Sequence, residues 1–116
     1  DPVDVMAVER MVPQVGQGAL AIECRVNDAS AVSGLAAITH AESHAVFECE
    51  RAFLIELGGD CSLPAGAHAR LTRGGYSLTG FLASEDLLTS HQVTVTGSDG
   101  PSLGTDLAVE LRSRLR

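Results

Sequence analysis

Near the middle of this chain, the spacing between apolar residues changes from about four residues to two. Of all the sequence features, this change most restricts the folds that the chain can adopt. Upstream of the change, apolar residues recur at helical spacing to form one stripe: Val46, Cys49, Phe53 and Leu57. Downstream of Pro64, Ala67, Ala69 and Leu71 alternate with polar residues, as in a strand with one buried face. Because a helical stripe and an alternating strand must bury their apolar faces together, the sequence predicts an α+β fold.

Both ends of the striped helix carry sequence signals. Thr39 and Glu42 have the Thr-x-x-Glu spacing of a capping box, which predicts the start of the helix. The glycines at 58–59 can adopt the left-handed conformation that ends a helix. A shorter helix is predicted before it, with residues 27–28 as N-cap candidates. The apolar face of that helix contains Val32, Leu35, Ala36 and Thr39.

Three strands and a last helix complete the predicted unit. Residues 67–72 form the first strand, and Gly74-Gly75 predicts a two-residue turn into residues 76–83. Residues 87–96 form the third strand, and a helix follows, with these apolar positions: Leu103, Leu107, Ala108, Leu111 and Leu115. The expected architecture is therefore a small three-stranded antiparallel sheet with helices packed on one face.

Residues 19–26 read as a buried strand with no pairing partner in the later unit. A strand needs such a partner to satisfy its backbone N–H and C=O groups. We therefore assign residues 1–26 to a preceding, neighbouring domain and residues 27–116 to the α+β domain. In an isolated chain, residues 19–26 are expected to pair with a second copy.

Composition and charge exclude several classes of protein. Of the 116 residues, 45% are apolar and 20% are charged, which is typical of a globular protein. No apolar run approaches the roughly 18 residues of a membrane span, and the start lacks the layout of a signal peptide. A net charge of −7 with no lysine argues against nucleic acid as a partner. The first residue is Asp1 rather than Met, which we interpret as a fragment or a processed product.

The three cysteines are Cys24, Cys49 and Cys61, an odd number without Cys-x-x-Cys spacing. This pattern predicts neither a disulfide framework nor a zinc site, and it favours a reducing, cytoplasmic compartment. Cys24 lies in the predicted strand and Cys49 on the helical stripe, so both are expected in the core. His40 and His44 share one helix face without a third ligand, which favours a solvated face over a metal site.

Two short segments could carry chemistry. Cys61 follows the predicted helix end, where free backbone N–H groups favour a thiolate, but the neighbouring carboxylate of Asp60 opposes one. Taken alone, it is better interpreted as a structural thiol. In the segment Gly16-Gln17-Gly18, the glycines allow close approach to a ligand, and the Gln17 amide offers a donor and an acceptor. Such a pair of glycines is otherwise typical of a turn.

Both segments lie in longer runs with a recognisable pattern. The upstream run is Val15-Gly16-Gln17-Gly18-Ala19-Leu20-Ala21-Ile22-Glu23. The downstream run begins Glu50-Arg51-Ala52-Phe53-Leu54 and ends Gly58-Gly59-Asp60-Cys61-Ser62-Leu63-Pro64-Ala65-Gly66. Together the two runs resemble the porphobilinogen deaminase family, also called hydroxymethylbilane synthase. Asp60 stands where the family usually has a further glycine. The resemblance covers nearly the whole chain but only the last part of a three-domain enzyme.

The resemblance implies a transferase that condenses four porphobilinogen molecules into hydroxymethylbilane for porphyrin and heme biosynthesis. It implies that Cys61 carries a dipyrromethane cofactor through a thioether, and that Gln17 and Gly18 line the cleft beside it. The family's catalytic aspartate and substrate-binding arginines belong to the first two domains, so no catalytic residue is expected in this chain. Arg25, Glu50 and Arg51 also match family positions, but we interpret them as structural.

The implied partners are the N-terminal domains of the same enzyme, whose first domain residues 1–26 would complete. The complete enzyme is expected to be monomeric and to need no metal. The alternative from another class is a non-enzymatic α+β binding module, in which Cys61 is free and the first 26 residues bind a partner chain. The mass of the protein distinguishes the two, because only the enzyme would carry a covalent dipyrromethane.

Overall fold

The computed structural model describes residues 3–59 and 63–116. Its helices and strands follow the predicted order: α1 Ala29–Ile38, α2 Ala41–Glu56, β1 Ala65–Thr72, β2 Gly75–Ala83, β3 Ser90–Gly97 and α3 Gly100–Arg114. The strands form one antiparallel sheet in the order β1-β2-β3. The α+β fold with a three-stranded meander is thus confirmed.

The core lies between the sheet and the pair of helices α2 and α3, which pack against each other and against the strands. Phe53 of α2 and Leu107 of α3 are fully buried with Leu78 of β2. The predicted stripe of α2 is confirmed, because its two central members are buried while Val46 and Leu57 pack at the margin of the core. The apolar positions predicted for α3 also contribute to this cluster.

The start of α2 differs from the prediction. His40 is the N-cap, and its Nδ1 accepts a hydrogen bond from the Ser43 N–H at 3.2 Å. The Thr39 hydroxyl instead donates to the Leu35 carbonyl at 2.9 Å, in the last turn of α1. The capping box of Thr39 and Glu42 is therefore wrong, because α1 already uses the threonine. His40 Nδ1 also lies 2.8 Å from the Ser43 hydroxyl, and both His40 and His44 are exposed.

The end of α2 follows the prediction, since Gly58 and Gly59 both have positive φ. The turn between β1 and β2 is displaced by one residue. Thr72 pairs with Gly75, so residues 73–74 form the turn and Gly75 begins β2. A Cβ on Gly75 would collide with the carbonyl oxygen of Gly97, which explains why a glycine is needed at this position.

The strand β3 begins three residues later than predicted, at Ser90. The preceding residues form a closed loop, in which the Ser84 N–H donates to the Thr89 carbonyl at 2.8 Å. The Ser84 hydroxyl also donates to the Asp86 carboxylate at 2.6 Å. The first bond occupies the Ser84 N–H and the Thr89 carbonyl, and a longer strand would have needed such backbone groups for pairing.

The region before α2 is the most exposed part of the chain. The helix α1 forms as predicted, and its N-cap Asp28 accepts from the Ala31 N–H at 3.0 Å. In the part of the chain that the structure describes, α1 contacts none of the other helices or strands. Residues 19–26 form no strand, and Leu20 and Val26 are 93% and 94% exposed. The predicted buried strand is not formed in this chain, and no strand of residues 3–59 and 63–116 lies beside this segment to pair with it. Its pairing within a neighbouring domain stays a prediction.

Residues 9–16, by contrast, lie against the sheet. The Glu9 carbonyl accepts from Gln92 Nε2 at 2.9 Å, and the Pro13 carbonyl accepts from the Ala67 N–H at 3.0 Å. Val15 packs against the core cluster. The segment therefore contacts both β3, through Glu9, and the free edge of β1, through Pro13. The assignment of residues 1–26 to a neighbouring domain and of residues 27–116 to the α+β domain stays a prediction.

Candidate functional site

The Gly16-Gln17-Gly18 segment is a tight loop built from two consecutive turns. The Gln17 N–H donates to the Gln14 carbonyl at 3.1 Å, and the Ala19 N–H donates to the Gly16 carbonyl at 2.9 Å. Gly16 has φ +71°, and a Cβ at this position would lie 3.0 Å from Cε2 of Phe47. The conformation and the close contact with α2 thus both favour glycine.

A buried carboxylate connects this loop to the rest of the domain. Glu50 of α2 is 8% exposed, and its Oε2 accepts from the Gly16 N–H at 2.9 Å. Its Oε1 accepts from the Ala69 N–H of β1 at 2.8 Å. The two oxygens of one side chain therefore join the loop, the helix and the edge of the sheet. Such charge-assisted bonds to backbone N–H groups stabilise a buried carboxylate.

The loop borders a cleft of about 240 Å³ between α2 and β1. Gln17 and Gly18 both line it, and the other walls are formed by Gly16, Ala19, Ser43, Val46, Phe47, Glu50, His68 and Ala69. A wider groove of about 730 Å³ continues from Gly18 between residues 15–22 and the helices α1 and α2. Gly18 borders both spaces, and no atom lies within 4 Å of a Cβ built on it. A ligand could therefore approach the backbone closely at Gly18.

Cys61 lies outside the described residues, as do its neighbours at 60 and 62. The described residues on either side are fixed. The Gly59 N–H donates to the Leu54 carbonyl at 2.8 Å, and the Pro64 carbonyl accepts from the Ala83 N–H at 2.9 Å. The thiol therefore belongs to the short connection between the end of α2 and the start of β1. Whether it meets Gln17 and Gly18 in one cleft stays a prediction.

The other two cysteines have opposite environments. Cys49 is fully buried in the core, as predicted, and burial raises the pKa of its thiol to about 11. Negative charge on the adjacent Glu50 and on Asp99 adds to this shift. Cys24 is exposed, so its assignment to the core is wrong. This error arises because every residue of the segment 19–26 is exposed in the structure.

Sequence reasoning missed the role of Glu50 in shaping the cleft, although it correctly treated this residue as structural. A signal was present. Glu50 follows Val46 by four residues and precedes Phe53 by three, which places a carboxylate on the buried face of α2. A buried carboxylate requires hydrogen-bond partners. Arg51 by comparison is half exposed and lies 3.7 Å from Glu48, and Arg25 is exposed.

Other kinds of site receive no support within residues 3–59 and 63–116. No group of three or more His, Cys, Asp or Glu residues is arranged there to hold a metal ion. None of the helices in those ranges is long and apolar enough to cross a membrane.

Comparison with known proteins identifies the class. The family described as "Porphobilinogen deaminase, C-terminal domain" matches residues 45–113, from the first half of α2 to the end of α3. The structure therefore describes a C-terminal α+β domain of this kind, with an additional segment before it. The chain belongs to the porphobilinogen deaminase family.

Individual relatives agree with this assignment. The chain is 36% identical over 110 residues to the porphobilinogen deaminase of Trichlorobacter lovleyi, with 93% of this chain and 35% of the relative covered. It is 38% identical over 114 residues to the chloroplastic porphobilinogen deaminase of Pisum sativum, covering 94% and 31%. It is 39% identical over 116 residues to that of an Exiguobacterium species, covering 98% and 38%. The chain thus spans about a third of the length of these curated relatives.

Proposed function

We propose that this chain is the C-terminal part of a hydroxymethylbilane synthase, a transferase that condenses four porphobilinogen molecules into hydroxymethylbilane. The observation that carries the proposal is the family match over residues 45–113. That range contains the end of α2, Cys61 and the start of β1, in the motif on which the resemblance rests. The product serves tetrapyrrole biosynthesis.

We propose Cys61 as the thioether anchor of a dipyrromethane cofactor. Cys49 is unsuitable because it is buried and its pKa is raised to about 11, so little thiolate forms at neutral pH. Cys24 is exposed but lies outside the region that matches the family. In forming the thioether, the sulfur of Cys61 bonds to a methylene carbon of porphobilinogen while the carbon–nitrogen bond breaks and ammonia leaves. When bound, the cofactor supplies the primer and the anchor for condensation.

The loop residues suit contacts to such a group. The Gln17 side chain is exposed at the cleft and offers both a donor and an acceptor, which can pair with pyrrole N–H groups and carboxylate side chains. Gly18 has open space where a side chain would stand. Gln17 and Gly18 are therefore proposed as cofactor contacts. These assignments depend on Cys61 presenting the cofactor toward this cleft.

The rest of the machinery is proposed to lie outside this chain. Condensation needs an acid to assist the departure of ammonia, and arginines to hold the acetate and propionate groups. We assign both to N-terminal domains of the same enzyme, and we propose that residues 19–26 pair with the first of them. The complete enzyme is proposed to be a monomer of the cytoplasm, and the isolated chain to be inactive or to self-associate through residues 19–26.

The proposal is tested by the intact mass of the complete protein and of two cysteine variants. The wild type and Cys24→Ser should each carry the mass of two porphobilinogen units less two ammonia molecules. Cys61→Ser should lack this mass, because a hydroxyl does not replace the thiolate as a soft nucleophile. A loaded Cys61→Ser protein would refute the anchor. Turnover of porphobilinogen by the 116-residue chain alone would refute the need for other domains.

A further inference from the structure

We infer that Glu50 is a positioning residue, which holds the Gly16-Gln17-Gly18 loop at the distance from β1 that cofactor contacts require. This inference rests on the proposed function, because it assigns Glu50 a role in the same cleft. Glu50 itself is not placed in contact with substrate. Its effect passes through the backbone of Gly16.

The first support is the geometry of the carboxylate. Its two oxygens accept from backbone N–H groups of the loop and of β1, at 2.9 Å and 2.8 Å. The two donors, Gly16 and Ala69, are 53 residues apart in the chain, so one side chain fixes the position of one segment relative to the other. A carboxylate is suited to this task because both of its oxygens accept hydrogen bonds.

The second support is the position of the loop at the edge of the sheet. The N–H of Ala67 is bonded to the Pro13 carbonyl, and the next outward-facing N–H of β1, that of Ala69, is bonded to Glu50. The Glu50 side chain therefore binds the edge of β1 at the point where direct backbone bonding between residues 9–16 and β1 ends. The loop leaves the strand at this point, which opens the cleft that Gln17 and Gly18 line.

The third support is a second contact between α2 and the same residue of the loop. Gly16 lies so close to Phe47 that a Cβ would be 3.0 Å from the ring. The loop is thus held at Gly16 by both the ring of Phe47 and the carboxylate of Glu50, which lie three residues apart on α2. Both side chains that fix the loop belong to α2, which ends at Glu56, three residues before Gly59. Displacement of the loop would change its position relative to the connection that contains Cys61.

The test uses the complete enzyme in three forms: wild type, Glu50→Gln and Glu48→Gln. Glutamine at position 50 keeps the size of the side chain but has one acceptor oxygen, so its NH₂ group would face one of the two N–H donors. Glu48 is the matched control, because it is a partly exposed glutamate on the same helix that pairs with Arg51 and His44. Three quantities are measured for each form: the mass added at Cys61, amide hydrogen exchange in residues 13–20, and kcat and KM for porphobilinogen.

We expect Glu50→Gln to retain the added mass and the slow exchange of β2. Its exchange in residues 13–20 should be at least about tenfold faster, because a buried hydrogen bond is lost. Its kcat should fall by a similar factor with a smaller change in KM, since the anchor remains while the contacts are displaced. Glu48→Gln should match the wild type in all three. If Glu50 only stabilises the fold, Glu50→Gln should lower the midpoint of thermal unfolding and leave kcat unchanged at temperatures below that midpoint. That result would overturn the inference.

A second variant keeps the inference testable if Glu50→Gln does not fold. Gly16→Ala displaces the same loop from the side of Phe47 and leaves Glu50 intact, so it should reproduce the fast exchange and the lower kcat. An enzyme with unchanged kcat in Gly16→Ala would overturn the inference. The proposed function fails separately if the wild-type enzyme carries no added mass, and the positioning role of Glu50 toward the cofactor then fails with it. If the wild-type enzyme carries the added mass and Glu50→Gln is fully active, only the inference about Glu50 is refuted and the proposed function stands.

Discussion

The region before α2 and the region from α2 onward both contain apolar patterns that predict helices and strands, but only the second region forms a core. From α2 onward, helices and strands bury their apolar faces on one another and form a core that includes Phe53, Leu78 and Leu107. Before α2, the helix α1 has no buried residue, and residues 19–26 expose Leu20 and Ile22. The radius of gyration, 15.9 Å, exceeds the roughly 13 Å of a compact domain of about 100 residues. In the described residues, most apolar side chains of α1 and of residues 19–26 therefore stay exposed, whereas the helices and strands of the second region pack on one another.

The comparison shows what local pattern can and cannot predict. The spacing of apolar residues predicts whether a segment is a helix or a strand and which of its faces needs burial. The surface that covers this face can belong to a part of the protein that is distant in sequence. Residues 9–16 form an intermediate case, because they are irregular but bonded to β1 through Pro13 and to Glu50 of α2 through Gly16. The four predictions below compare substitutions or truncations in the two regions, from the largest expected effect to the smallest.

The largest effect is expected at Phe53, in the centre of the core. Phe53→Ala removes a fully buried ring and should lower the free energy of unfolding by about 3–5 kcal/mol. His44→Ala on the same helix, and Leu20→Ala in the exposed region, should change it by less than about 0.5 kcal/mol. Thermal or denaturant unfolding measures all three. A Leu20→Ala effect as large as that of Phe53→Ala would show that the two regions share one core.

The second prediction locates the boundary between the regions by two truncations. Removing residues 1–11 should leave the unit intact and nearly as stable as the whole chain. Removing residues 1–26 should leave it folded and more monomeric, but less stable by about 1–3 kcal/mol, because Glu50 and β1 lose their bonds to Gly16 and Pro13. Circular dichroism and light scattering give the answers. Equal stability of the two truncated chains would mean that residues 12–16 contribute nothing to this domain.

Most of the fold could be predicted from the sequence, because α2, α3 and the meander satisfy each other's apolar faces. The period of Cys49 and Phe53 and the alternation of Ala67 and Ala69 were sufficient for this. The cleft was harder to predict. Gln17 could be singled out from its flanking glycines and from the resemblance, but the bond between Glu50 and Gly16 joins residues 34 apart in the chain. No local pattern specifies such a partner.

The third prediction places the same substitution in one helix of each region. Gly104 of α3 packs so closely on α2 that a Cβ would collide with the Cys49 carbonyl oxygen and lie 2.9 Å from the Phe53 nitrogen. Gly104→Ala should therefore cost about 1–3 kcal/mol through overpacking. Gly34 of α1 has no atom within 4 Å of a built Cβ. Gly34→Ala should stabilise α1 locally by about 0.5–1 kcal/mol and leave the midpoint of global unfolding unchanged. Chemical shifts measure the helicity of α1, and melting curves measure the midpoint.

The smallest effect is expected at the two aspartate N-caps, Asp28 of α1 and Asp99 of α3. The Asp99 Oδ1 accepts from the Ser102 N–H at 2.9 Å, and hydrogen bonds from the backbone and side chain of Ser102 lower the pKa of this carboxyl from its ordinary value. A lowered pKa means that this stabilisation is fully present above the unfolded pKa and is lost as pH falls through the folded pKa.

Asparagine caps as well as aspartate but does not titrate. Wild type should therefore lose slightly more stability than Asp99→Asn between about pH 5 and pH 3, as measured by unfolding at each pH. Asp28→Asn should follow the wild-type curve, because α1 contacts no other element in the described chain. A pH dependence altered by Asp28→Asn and not by Asp99→Asn would reverse the comparison, since it would couple the exposed helix, and not α3, to global unfolding.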